Sequence, residues 1–126
     1  MFTIKQIEDA HSRVKTGADF PNYIKEIKEL GVEGFVFWVV DGKEIFYSKN
    51  SNIQSASKYE ELPISTNVNS EIFKVELLAH QQGKTNFEEF VQMCANTGIT
   101  HWKVDLEIFT CTYFDAKNKE ILIEKL

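Results

Sequence analysis

The chain has 126 residues, 43% of them hydrophobic and 13% aromatic, enough for one continuous core without disulfide or metal staples. Its formal charge of −5 comes from 19 acidic against 14 basic residues, and Arg13 is its sole arginine, so a chain this poor in groups that neutralise phosphate and read base edges is not expected to bind nucleic acid. No apolar run approaches the roughly 20 residues of a membrane span and the N-terminal segment has no stretch of signal-peptide length, so a cytoplasmic protein without membrane contact is expected.

Thr3 followed by Gln6 has the spacing of a capping box, and Ile4, Ile7, Ala10 and Val14 then recur at helical intervals, predicting a helix over about 4–15 stopped by Gly17. Asp19 is placed to cap a second helix, with Pro21 in its first turn, an apolar stripe of Tyr23, Ile24, Ile27 and Leu30, and a stop at Gly31. Phe35 to Val40 is a β-branched and aromatic run that reads as a strand covered on both faces. Asp41-Gly42 predicts a two-residue type I′ turn, and Ile45-Phe46-Tyr47 the returning strand. Residues 48–64 read as a long connection with a short edge strand near 56–59. A helix from Asn69 or Ser70 runs to Gln82 before Gly83, and a second capping box, Asn86 with Glu89, opens a helix that ends at Gly98. Strands over about 101–106, 108–114 and 120–125 finish the chain. The whole is read as a single α+β domain over 1–126, in the order αα-ββ-αα-βββ, with helices packed on a mainly antiparallel sheet of about five strands. Shifting the chain by 67 residues lays Asp19 on Asn86, Tyr23 on Phe90, Gly31 on Gly98 and Phe35 on Trp102, a pattern that duplication or shared capping chemistry would each produce.

Few residues point to chemistry. Gly83-Lys84-Thr85 has the tail of a phosphate loop, but Leu78 stands where the first glycine belongs, leaving a helix stop as the better reading. His80 falls in the last turn of its helix, where a histidine serves the unpaired carbonyls, and Gln81 and Gln82 beside it offer amides to a ligand or a partner backbone. Alternation on the fourth strand puts His101, Lys103 and Asp105 on one face and Trp102 and Val104 on the other. Cys94 and Cys111 show neither metal-site nor redox spacing and read as buried thiols; no metal and no cofactor is implied. Phe35, Phe37 and Val39 share one side of their strand, and Val36, Trp38 and Val40 the other. Only one side can face the helices, so Trp38, Val36 and Val40 are the candidate interface.

The segments Val40-Asp41-Gly42, Ala79-His80-Gln81-Gln82-Gly83-Lys84-Thr85, Trp102-Lys103-Val104-Asp105-Leu106 and Thr110-Cys111-Thr112-Tyr113, with His11 and Gly17-Ala18-Asp19-Phe20 before them, resemble the YdfO-like family of small bacterial proteins. Its members are often carried on prophages and labelled phage envelope proteins. The resemblance implies an α+β fold and gives no activity, substrate or catalytic residue to carry over. With no recognisable catalytic pattern and a chain rich in aromatics, a non-catalytic protein-binding or regulatory module, working through a protein partner or self-association, is expected. The alternatives are a small-molecule-binding protein or enzyme with His80, Gln81, His101, Asp105 and Cys111 around one pocket, and a phage structural protein.

Overall fold

The computed structural model describes residues 2–15 and 19–126; the expected stop at Gly17 lies outside them. In chain order the elements are α1 (Ile4–His11), α2 (Phe20–Glu29), β1 (Gly34–Trp38), β2 (Glu44–Tyr47), β3 (Asn52–Gln54), α3 (Ser70–Gln81), α4 (Phe87–Asn96), β4 (His101–Asp105), β5 (Thr110–Phe114) and β6 (Glu120–Lys125). The strands form one antiparallel sheet in the order β3-β2-β1-β4-β5-β6. The α+β class stands, with six strands in place of about five: the first half also has a third strand, at Asn52–Gln54 and not near 56–59.

Both capping boxes form. Thr3 accepts the Gln6 N–H at 3.2 Å while Gln6 reaches back to the Thr3 N–H at 2.9 Å, and Asn86 and Glu89 do the same at 2.8 and 3.0 Å. At the start of α2 the Asp19 carboxylate instead takes the backbone N–H of Lys15 at 2.9 Å, and Pro21 supplies the helical start. α1 is shorter than expected, because the Arg13 N–H turns to the Ala10 carbonyl at 3.3 Å and the Arg13 guanidinium is held by Glu26 of α2.

The stops of α2 and α4 are the same device. Gly31 and Gly98 adopt positive φ, their N–H groups reach Lys28 and Ala95, and the next residues, Val32 and Ile99, bond back to Ile27 and Cys94 at 3.1 and 2.9 Å while burying their side chains. The 67-residue shift therefore carries α2 onto α4 and β1 onto β4 end to end. In the β1–β4 ladder Val36 lies opposite Lys103, its own counterpart under that shift, so an approximate two-fold axis passes through this pair, normal to the sheet.

The hairpin differs from its expected form. β1 ends at Trp38, and Val39 to Gly42 make a four-residue loop closed by the Gly42 N–H on the Trp38 carbonyl at 2.8 Å. Gly42 has φ of 76°, whereas Asp41 is absent from the positive-φ residues, so the type I′ geometry is excluded. Val39 still follows the β1–β4 register through its N–H to the Thr100 carbonyl, but its own carbonyl takes the Tyr59 hydroxyl and the Val40 carbonyl takes the Leu62 N–H, so neither valine pairs with β2.

All four helices contribute to one core against one face of the sheet. Ile7, Tyr23, Ile27, Phe73, Leu77, Phe90 and Val91 meet Phe35, Phe37, Phe46, Trp102, Val104 and Tyr113. Phe37 stacks on Trp102 with centroids 4.3 Å apart and takes the edge of Phe87, and Phe73 takes the edge of Tyr113. Among the described residues no helix is long and apolar enough to cross a membrane.

Candidate binding surface

The strand registers assign the other sheet face residue by residue. Opposite pairs share a face, so Val36 lies with Ile45 and Lys103, Trp38 with His101, His101 with Phe114, Lys103 with Thr112, and Gly34 with Tyr47 and Asp105. The expectation that Phe35 to Val40 is covered on both sides is corrected, because the chain places its helices on the Phe35 and Phe37 side alone.

At one end of this open face a row of rings crosses three strands. Trp38, 36% exposed, lies on His101 with centroids 4.4 Å apart, and His101 stacks on Phe114 at 4.8 Å and 9°. The imidazole is thus buried between two larger rings although no helix covers it. Its Nδ1 shares a 2.8 Å hydrogen bond with Thr100 Oγ1. Burial pushes the His101 pKa below the usual histidine value, with Asp115 acting the other way, so the ring is neutral near pH 7. Lys103 lays its stem across the sheet and its ammonium 5.5 Å from the centre of the Tyr47 ring.

Gly34 makes that placement possible: a Cβ there would run into the Tyr47 hydroxyl and come within 2.6 Å of the Val104 carbonyl oxygen. Neither Gly34 nor Phe114 stood out in the sequence. A glycine opening an apolar strand is the signal for the first, and alternation from Thr110 and Thr112 the signal for the second.

The candidate residues fall into separate places. Val36 and Trp38 are on the open face, but Val40 is half-buried in the β1–β2 loop. Asp105 is on the open face and is engaged locally, its Oδ1 accepting the Glu107 and Ile108 N–H groups at 2.9 and 3.2 Å to close the β4–β5 turn. His80 lies on the helix side, stacked on Phe90 at 4.4 Å, with Nδ1 in hydrogen bonds to the Thr85 hydroxyl and carbonyl at 2.9 and 3.2 Å. It pins the α3–α4 link, while the helix ends through backbone bonds from Gly83 to His80 and from Lys84 to Ala79. Burial lowers its pKa, against the Thr85 bond. Gln81, exposed, donates to both Glu124 oxygens on β6 at 3.0 and 3.3 Å, and Gln82 is exposed. Cys111 faces the helices and is buried, as is Cys94. The sheet therefore separates His80, Gln81 and Cys111 from His101 and Asp105, and the five do not line one pocket.

Two surface depressions, of about 480 and 280 Å³, lie by Pro63, Ile64 and Gln92 and by Phe2, Gly31 and Asn50. Neither contains a candidate residue. Among the described residues no group of three or more His, Cys, Asp or Glu is placed to hold a metal ion.

No curated protein matches the chain. A family model, described as a protein of unknown function (DUF1398), matches residues 8–125, nearly the whole chain, and the chain therefore belongs to the DUF1398 family.

Proposed function

We propose that the chain is a non-catalytic binding module of the bacterial cytoplasm that docks a partner protein on its open sheet face, around Trp38, His101 and Phe114. The prophage origin implied by the YdfO-like resemblance is part of the same proposal. One observation carries it: a tryptophan 36% exposed, set in an ordered row of rings on a sheet face left bare by all four helices. Aromatic anchors that pair a large apolar surface with few rotatable bonds are what binding interfaces concentrate at their centres. Within the paired strands of the bare face Asp105 and Glu120 balance Lys103 and Lys125.

The test is a photo-crosslinking residue at position 38, with the same residue at exposed Glu88 on α4 as control. A discrete adduct from position 38 and none from position 88 is expected, and mass spectrometry should place the partner's contact next to position 38. Equal yields from both positions, or none from either in cells that express the protein, would reject the reading.

A further inference from the structure

The sheet has two edges that occupy equivalent places in the two halves, and they are not alike. β3 is three residues long and its pairing to β2 runs on for only one more rung, from Ser55 to Glu44, so that edge is short. β6 is six residues long, holds Ile121-Leu122-Ile123 at its centre, contains no proline, and among the described residues pairs only with β5. Its free side can be assigned. The Leu126 N–H bonds the Phe109 carbonyl at 2.8 Å, and antiparallel bonding alternates, so the N–H and C=O groups of Ile123 and Lys125 point away from β5.

We infer that this edge pairs with β6 of a second copy, antiparallel, about a two-fold axis at Ile123. In that register Ile123 exchanges both backbone hydrogen bonds with its counterpart, Lys125 lies opposite Ile121 and Glu124 opposite Leu122. Every charged residue of the strand then meets an apolar one. Moving the axis one residue to Leu122 sets Glu120 against Glu124 of the copy, and like charges directly opposite are destabilising. The charge pattern therefore favours the Ile123 register over the one centred on Leu122.

A second feature lies at the same edge. α3 sits over β5 and β6, with Phe73 against Tyr113 at 5.0 Å and Gln81 on Glu124. Strands lie about 4.8 Å apart, so a helix above the β5–β6 pair stands about one spacing from the axis, and α3 and its copy would run about 10 Å apart, the separation at which helices pack. Leu78, three residues before Gln81 on the same flank, is 55% exposed in the single chain and faces this seam. The product is a twelve-stranded sheet with both open faces on the same side, and it leaves the Trp38 row free for a different partner.

Light scattering across a concentration series should give a molar mass rising from 14.6 kDa toward twice that value. Ile123→Pro removes a donor that β5 does not use, and Ile123→Lys sets two ammonium groups at the axis; each should raise the dimer dissociation constant at least tenfold, whereas Trp38→Ser should leave it unchanged. A readout that needs no variant is amide exchange, in which Ile123 and Lys125 should become protected as concentration rises. A wild type that stays at 14.6 kDa at all concentrations, or a dimer lost in Trp38→Ser and kept in both Ile123 variants, overturns the inference.

Discussion

The Trp38 indole lies 4.4 Å from the His101 imidazole, so the charge state of one ring is reported by the other. An imidazolium in contact with an excited indole quenches it, and the His101 pKa is lowered by burial. In a Trp102→Phe background, which leaves Trp38 as the emitter, fluorescence should be level from pH 8 to 7 and fall at a midpoint below about 6.5. In His101→Gln the fall should vanish. A midpoint at or above 6.5 would mean the ring is not buried in this way.

His80 gives a linkage test with a definite sign. Its folded pKa is lowered, so the unfolded chain binds its proton first and the stability from the neutral ring, complete above about pH 6.5, is lost as pH falls toward the folded value. His80→Phe keeps a ring on Phe90 and loses the Thr85 bonds, which should cost about 0.5–1.5 kcal/mol at pH 7.5. That deficit should shrink at pH 5.5, as urea denaturation at the two pH values would show.

Gly42→Val should destabilise the protein by roughly 1–3 kcal/mol through backbone strain alone, since φ is 76° there. The added Cβ would also stand 2.7 Å from Tyr59 and 2.9 Å from Lys58, so Tyr59 must give up its 2.7 Å hydrogen bond to the Val39 carbonyl or shift with the loop. Thermal unfolding monitored by circular dichroism measures the loss, and an unchanged midpoint would contradict the loop geometry.

Both thiols should resist labelling in the native state. Burial pushes the Cys111 pKa up to about 12 and that of Cys94 higher still, leaving almost no thiolate at pH 8. Titration with a disulfide reagent should find no fast-reacting thiol in buffer and two in denaturant; a fast phase in buffer would place one of them at the surface.

Local chemistry made most elements legible. Capping boxes, glycine stops and helical spacing are decided within a turn or two of chain, so α2 and α4 follow from Pro21, Asn86, Gly31 and Gly98. The sharing of a face by His101 and Asp105 followed from alternation alone. What depended on distant partners did not follow: the Val39 and Val40 carbonyls are taken by Tyr59 and Leu62 and not by β2, and His80 turns from its own helix to Thr85. Which strand face stays bare is equally non-local, because either side of Phe35 to Val40 is apolar enough to meet helices.

The central place of β1 has a consequence for synthesis. Its run from Phe35 to Val40, the longest uninterrupted apolar stretch of the chain, is shielded on one edge by β2, made immediately after it, and on the other by β4, which follows 67 residues later. At 5–20 residues per second that interval lasts roughly 3–13 s on the ribosome, during which the nascent first half offers a bare β edge of aromatic and β-branched residues to its neighbours. Aggregation of growing chains, more than unfolding of finished ones, is where this architecture is exposed, and slowing elongation between Gln54 and His101 would lengthen the window.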